Sequence, residues 1–420
     1  MRDNKMHTPN GFKDFLPGGY SFKQELERKI EDVFQRSCFA SVSSPMLEFM
    51  EVFEGKGSTD PKQMYRFIDR DGDILTLRSD MTPPIARMAA TNYSWDDAPL
   101  RFCYTENAFR CHESYKGKAG EFTESGVELI GVSSVDSDAE VVSLAIECLL
   151  AAGLKSFRID IGHTGFFKGI LEESALSKED QDLIMNCLAN RNAVAAERIA
   201  RGKDIPESAK ALFSRPHALM GDSFMLEGLK SLTASRNALE AIERLQSINE
   251  ILTDYGLSQY ALFDLGMTGH LNYYTGMLFR GYTQGTGFSV LDGGRYDNLI
   301  ELYGIPFPSV GFAIKIDNLA SVLGGRNDRE QSRKDSTLLA YAAPGRKNAL
   351  EACRELRRQG LKVELSHAGA GDDYIPHMEY AKRKGIPGLL FFDGLDQVLV
   401  ADLQADSMRR IPIAELSERK

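Results

Sequence analysis

Residues 100–130 read LRFCYTENAFRCHESYKGKAGEFTESGVELI. Residues 100–109 and 122–130 are rich in aromatic and β-branched side chains, a composition typical of β-strands. Residues 111–120 between them are polar and contain glycine, as a connecting loop requires. This stretch therefore predicts two β-strands around one loop.

The flanking sequence adds strands in runs and only a few helices. Apolar residues at helical spacing predict a helix over residues 21–37, and a second helix is predicted over residues 138–151. Further strands are predicted at residues 39–43, 65–68, 74–77, 157–161, 260–265, 278–283, 288–291 and 310–316. Because the strands do not alternate regularly with helices, the predicted fold class is α+β with an antiparallel sheet.

Changes in composition divide the chain into two domains. Residues 1–323 form the first, and its segment at about 168–255 is charged and helix-rich, which indicates a helical insertion. Residues 324–336 (GGRNDREQSRKDS) are polar and without periodicity, as expected of a linker. Strands and helices alternate in residues 337–420, which predicts a small α/β domain with a partly parallel sheet.

The overall composition is that of an ordinary globular protein. The net charge of −10 gives no general attraction for nucleic acid. No apolar run approaches the roughly 18 residues of a membrane helix, and residues 1–10 lack the apolar core of a signal peptide. The six cysteines form no CxxC pair, so we expect reduced thiols, a cytoplasmic location and no metal site.

Common catalytic motifs, such as a Walker loop, HExxH and GxSxG, do not occur in the sequence. Three segments are distinctive instead: residues 77–83 (LRSDMTP), the span 109–128, and residues 271–297. They place carboxylates, tyrosines and an arginine near predicted strand ends. Such groups suit a zwitterionic amino acid with a polar ring, because carboxylates bind ammonium and an arginine binds a carboxylate. The residue types alone favour the other interpretation, a solvated sheet face with structural tyrosines.

Six segments, in the same order along the chain, resemble the histidyl-tRNA synthetase family over residues 8–420. Residues 8–17 (TPNGFKDFLP) resemble the opening of that family, and residues 39–48 resemble the dimer-forming first motif of class II synthetases. Residues 109–128 resemble the second motif. YYTG at 273–276 and GGRYD at 293–297 match the two histidine-specific motifs, and PSVGFAI at 308–314 resembles the third motif. The resemblance implies a class II aminoacyl-tRNA synthetase-like sheet with flanking helices and an anticodon-binding-like C-terminal domain.

The same resemblance implies a histidine site. Asp80, Thr82 and Glu124 would hold the amino group, and Arg110 would face the carboxylate. Glu128 and Tyr274 would face the imidazole, with Tyr296 completing the wall. The implied histidine-binding residues are Asp80, Thr82, Arg110, Glu124, Glu128, Tyr273, Tyr274 and Tyr296.

Three motifs depart from the synthetase pattern. Gly269 stands where synthetases have an arginine that faces the reacting carboxylate and phosphate, and Asp317-Asn318 replaces the Glu-Arg of the third motif. The second motif reads Gly-Glu-Phe at 120–122, without its usual arginine. Removing one preorganised donor typically costs about 2.7–4 kcal/mol of transition-state stabilisation. These departures predict a chain with no catalytic residues of its own.

Two further strings, residues 77–83 and GVELIG at 126–131, resemble the family of regulatory subunits of short-form ATP phosphoribosyltransferase. This resemblance implies a partner, the catalytic subunit, and an effector, histidine, in feedback control of the first step of histidine biosynthesis. It also implies a homodimer within a hetero-oligomer, with no cofactor, membrane or nucleic acid. A divergent histidyl-tRNA synthetase and a stand-alone amino-acid- or RNA-binding paralogue remain the alternatives.

Overall fold

The computed structural model describes residues 4–54, 60–112, 119–172, 174, 176–189, 192–201, 203, 210, 219–231, 233–267, 273–324, 333–366, 373–394 and 396–416. The chain divides into two compact units, one of residues 1–15 and 19–326 and one of residues 16–18 and 327–420. Most of the predicted linker, residues 325–332, lies outside the described residues. The exact domain boundaries and the linker therefore stay predictions.

The first unit contains strands and helices in an irregular order, as the sequence predicts. Its strands are β1 (Ala40–Ser41), β2 (Leu47–Phe49), β3 (Arg66–Ile68), β4 (Ile74–Leu77), β5 (Leu100–Phe109), β6 (Glu121–Ile130), β7 (Phe157–His163), β8 (Met220–Gly221), β9 (Ala261–Asp264), β10 (Met277–Thr283), β11 (Leu291–Arg295) and β12 (Ser309–Lys315). Its helices are α1 (Pro17–Arg36), α2 (Thr82–Asn92), α3 (Val135–Ala152), α4 (Thr164–Glu172), α5 (Lys178–Ala189), α6 (Ala193–Arg201), α7 (Ser223–Lys230), α8 (Arg236–Asp254) and α9 (Ile316–Val322).

A nine-stranded sheet forms the centre of this unit, in the order β1-β5-β6-β12-β11-β10-β7-β9-β8. The five neighbouring pairs from β5 to β7 are antiparallel, whereas β1 pairs with β5 and β7 pairs with β9 in parallel. The predicted antiparallel sheet and the α+β class are therefore confirmed. Strands β2, β4 and β3 form a separate three-stranded antiparallel sheet.

Helix α3 contributes much of the core of the first unit. It begins at an N-cap, where the Ser134 hydroxyl accepts a hydrogen bond from the backbone N–H of Ser137, and it ends at Gly153 with φ 99°. Leu144, Ile146 and Leu149 in its middle are buried in the same apolar cluster as the sheet. The burial of α3 stabilises one face of the sheet, which fixes the strands that carry the site on the opposite face.

Several strand ends differ from their predicted positions. The strand predicted at residues 39–43 is limited to Ala40–Ser41, and the one predicted at 288–291 begins only at Leu291. Helix α2 was not predicted, because residues 82–84 read Thr-Pro-Pro and proline usually marks a turn. In the structure both prolines occupy the first helical turn, where no N–H is needed.

The second unit is the predicted small α/β domain. Its elements are β13 (Ser336–Tyr341), α10 (Arg346–Arg358), β14 (Lys362–Leu365), α11 (Ile375–Lys384), β15 (Gly388–Phe392), β16 (Gln397–Asp402) and β17 (Ser407–Pro412). Strands β14, β13 and β15 are parallel, and β16 and β17 extend the sheet in antiparallel fashion. The sheet is therefore partly parallel, although β16 and β17 were not predicted. No helix among the described residues of either unit combines the length and apolarity needed to cross a membrane.

Candidate functional site

A cleft of about 550 Å³ opens on the central sheet of the first unit. Its walls come from β6, β10, β11 and β12, from the segment before α2, and from the tyrosines that precede β10. All eight residues predicted for a histidine site line it: Asp80, Thr82, Arg110, Glu124, Glu128, Tyr273, Tyr274 and Tyr296. The structure thus brings together residues that are more than two hundred positions apart in the sequence.

The alternation of β6 places Glu124 and Glu128 on the same face of the sheet as Gly126. Two glycines on adjacent strands make room for these side chains. A Cβ at Gly311 of β12, which pairs with Glu128, would lie 1.9 Å from Glu128 Oε2. A Cβ at Gly126 would lie 2.2 Å from the backbone oxygen of Phe312. Glycine at both positions is therefore a steric condition for the cleft.

Glu128 is held rigidly at the bottom of the cleft. Its Oε1 accepts a hydrogen bond of 2.8 Å from Thr82 Oγ1, and its Oε2 accepts one from the hydroxyl of Tyr296. Burial raises the pKa of Glu128 to about 8, although these two hydrogen bonds oppose the shift. Glu128 therefore takes up or releases a proton near neutral pH, and its position is set before any ligand binds.

A second group of charges surrounds Asp80 and Glu124. Asp80 Oδ1 accepts a hydrogen bond of 2.9 Å from the backbone N–H of Thr82, and Asp80 Oδ2 lies 3.5 Å from Arg110 Nη2. Burial and the charge of Asp80 raise the pKa of Glu124 to about 7, against the opposing charges of Arg110 and Lys315. A cation near Asp80 and Glu124 would relieve the repulsion between these two carboxylates.

Three charged residues of the cleft were missed by the sequence analysis: Arg280, Asp292 and Lys315. Lys315 forms an ion pair with Asp292 and donates a hydrogen bond of 2.8 Å to Ser289 Oγ, and Arg280 Nε lies 3.5 Å from Asp292 Oδ1. Burial opposes ionisation of Asp292, but Lys315 and Arg280 lower its pKa. The signal in the sequence was a charged residue within or directly after each of the strands predicted at 278–283, 288–291 and 310–316.

The positions that depart from the synthetase pattern carry no cation. Asp317 Oδ1 pairs with Lys13 Nζ at 3.0 Å, and Asp317 Oδ2 accepts a hydrogen bond from the backbone N–H of Thr123. Asn318 Nδ2 donates to the backbone oxygen of Ser289 at 3.0 Å. At Gly120 a Cβ would lie 2.9 Å from Tyr65 Oη, so a larger residue requires a rearrangement. Gly269 lies outside the described residues.

Comparisons with known proteins agree on one family. A family model described as histidyl-tRNA synthetase matches residues 11–319. An ATP phosphoribosyltransferase regulatory subunit of Acetivibrio thermocellus is 38% identical over 417 residues, which cover 99% of each chain. A solved structure titled as an ATP phosphoribosyltransferase regulatory subunit/histidyl-tRNA synthetase, from Bacillus halodurans, superposes with a TM-score of 0.83 at 28% identity and covers 93% of this chain and 98% of that one.

The fold is also similar to that of a solved structure with lower sequence identity. A histidyl-tRNA synthetase from Nostoc sp. PCC 7120 superposes with a TM-score of 0.78 at 20% identity, covering 99% of both chains, which supports the shared fold alone. The predicted class II synthetase-like fold is thus confirmed. The chain belongs to the histidyl-tRNA synthetase-like family of ATP phosphoribosyltransferase regulatory subunits.

Proposed function

We propose that this chain binds histidine in the cleft of its first unit and thereby regulates a catalytic ATP phosphoribosyltransferase subunit, without catalysing a reaction itself. One observation carries the proposal. The eight residues predicted for a histidine site line one cleft, while Gly120 and Asn318 stand where the resemblance implies arginines that face the ATP phosphates. A cleft of this kind favours binding of an amino acid over its activation.

The charges of the cleft fit the three polar ends of histidine. Asp80 and Glu124 suit the ammonium group, and Arg110 suits the carboxylate. The fixed carboxyl of Glu128 suits an imidazole N–H, because Thr82 and Tyr296 already orient it. Such a preorganised site loses little conformational entropy on binding.

Loss of phosphate contacts explains why we expect no catalysis. Adenylation develops negative charge on the phosphates, and the positions at 120, 317 and 318 offer no cation to stabilise it. Asp317 adds a negative charge, partly balanced by Lys13. The residue pattern therefore disfavours the divergent histidyl-tRNA synthetase, which must bind ATP.

An exposed apolar face supports the homodimer that we propose within the larger complex. Leu47, Phe49 and Phe67 project from the three-stranded sheet and are 47%, 52% and 48% exposed. The strand register pairs Leu75 with Phe49 on one side and with Phe67 on the other. Phe49, Leu75 and Phe67 therefore form one continuous face. Large exposed apolar patches usually mark protein interfaces. This sheet includes part of the segment that resembles the dimer-forming motif of class II synthetases.

Calorimetry with histidine tests the binding part of this proposal. We expect saturable binding at pH 7 that weakens on Glu128→Gln by roughly 2- to 10-fold. Glu128, with a pKa of about 8, is largely protonated at that pH, and a hydrogen bond between neutral groups contributes about 0.5–1.5 kcal/mol. Glu121→Gln is the matched control, since Glu121 lies on the same strand outside the cleft. Equal affinities in both variants would contradict the assigned role of Glu128.

A second assay separates the proposal from the synthetase alternative. Histidine-dependent exchange between ATP and pyrophosphate is measured on the purified chain. We expect no exchange above background. Exchange at rates typical of a synthetase would establish the divergent synthetase instead.

A further inference from the structure

A second cavity, of about 390 Å³, lies between α4 and α8 in the first unit. Small residues at the helix contact allow the two helices to approach closely, since a Cβ at Gly169 would lie 2.7 Å from the backbone nitrogen of Ala238. Polar side chains line the cavity, among them His163, Lys168, Glu172, Glu240 and Arg244. The histidine-binding proposal uses none of them.

His163 gives this cavity a defined hydrogen-bond donor. Its Nδ1 accepts a hydrogen bond of 3.0 Å from the backbone N–H of Gly165, so the proton of the neutral imidazole is on Nε2. Burial, together with the charges of Arg244 and Arg295, lowers the pKa of His163 to about 4, which keeps the ring neutral. No acceptor for Nε2 is found among the described residues.

The side chain of Arg244 lines the same cavity. Arg244 donates from Nε to Asp138 Oδ2 at 2.7 Å and from Nη2 to the backbone oxygens of Ser133 and Ser134. Its Nη1 has no acceptor within the described ranges. The two carboxylates of the wall are already paired: Glu172 with Asn237 at 2.9 Å and with Lys168 at 3.9 Å, and Glu240 with Arg236 at 2.8 Å.

We propose that this cavity is a second ligand site, which binds a small oxyanion, a phosphate or a carboxylate, through His163 Nε2–H, Arg244 and Lys168. Two donors without acceptors at the inner end and a lysine at the wall match the oxygens of such an anion. The wall carboxylates do not repel it strongly, because each has a cationic or amide partner.

A series of side-chain contacts connects this cavity to the proposed histidine cleft. Arg244 binds Asp138, which is fully buried and also binds Arg295 at 2.6 Å. Arg295 is followed in the chain by Tyr296, whose hydroxyl donates to Glu128 in the cleft. Thr275, which lines the second cavity, follows Tyr274, which lines the cleft. An anion on Arg244 therefore acts on the network that holds Tyr296, and this coupling rests on the proposed function of the cleft.

The experiment titrates inorganic phosphate and, separately, acetate into the full chain at constant ionic strength. The Cε1–H NMR signal of His163 reports occupancy, and calorimetry with and without the anion reports histidine affinity. We expect a saturable shift of the His163 signal and a change in histidine affinity of at least about fivefold. A response to phosphate alone or to acetate alone identifies which oxyanion the site prefers.

Two variants and a control make the result specific. His163→Asn retains an acceptor for Gly165 N–H but removes the Nε2 donor, and Lys168→Met removes the charge at the wall. Each variant should weaken anion binding, which is measured by calorimetry with the anion because His163→Asn also removes the NMR reporter. Lys178→Met is the control, because Lys178 is similarly exposed and forms an equivalent helical pair outside the cavity.

The possible results separate the two parts of the proposal. No saturable His163 shift with either anion overturns the site, whether or not histidine binds the cleft. A shift with unchanged histidine affinity overturns the coupling alone. Absence of histidine binding would count against the proposed function, while the His163 signal would still test the second site.

Discussion

At the scale of single residues, protonation of the Glu128 carboxyl group makes the free energy of unfolding depend on pH. Burial raises its pKa to about 8, whereas an exposed glutamate has a pKa of 4.5. Between these values the folded chain binds a proton that the unfolded chain has lost. The free energy of unfolding therefore decreases as pH rises from about 4.5 to about 8.

Glu128→Gln should remove this contribution, because glutamine does not titrate. We expect the stability of the variant to fall less steeply than that of the parent chain across this pH window. Urea unfolding at a series of pH values measures the slope for both chains. Parallel slopes would show that Glu128 keeps an ordinary pKa in the folded state.

Single residues also show what the sequence could predict of the site. Asp80, Glu124 and Glu128 belong to short motifs, so the resemblance could group them, and in the structure all three line one cleft. Arg280, Asp292 and Lys315 belong to no such motif, and their proximity depends on the pairing of β10, β11 and β12. Such pairing is a long-range property that local pattern does not reveal.

At the scale of elements, the close pairing of β6 with β12 shapes the cleft. The two long strands at 100–109 and 122–130 were predictable, because their composition favours strands along nearly their whole length. Helix α2 was not predictable from the sequence, because two consecutive prolines are typical of a turn. Only the structure shows that both prolines lie in the first turn of a helix, where proline is tolerated. Contacts with neighbouring elements, and not local propensity, decide whether such a segment is helical.

Gly311→Ala tests this pairing. The added methyl group would lie 1.9 Å from Glu128 Oε2 and 2.4 Å from the backbone oxygen of Val127. We expect a loss of about 1–3 kcal/mol in the free energy of unfolding, as for other overpacked sites. Thermal or urea unfolding measures it. Gly287→Ala, also in the cleft but with no atom within 4 Å, should have little effect, and equal losses would contradict the account.

At the scale of the whole molecule, the apolar face of the three-stranded sheet predicts self-association. Phe49→Glu places a charge in that face and should convert a dimer to a monomer, because burying an unpaired charge costs several kcal/mol. Light scattering coupled to gel filtration measures the mass. Phe224→Glu is the control, since Phe224 is 86% exposed on α7. An unchanged dimer in the Phe49 variant would assign the interface elsewhere.

The proposed regulation of a partner enzyme can be measured by adding the purified chain to the catalytic subunit of short-form ATP phosphoribosyltransferase from the same organism. Product formation is followed while histidine is titrated. We expect the chain to raise the rate, histidine then to lower it, and Glu128→Gln to shift the inhibition to higher histidine concentrations. A rate that responds neither to the chain nor to histidine would overturn the proposed regulation.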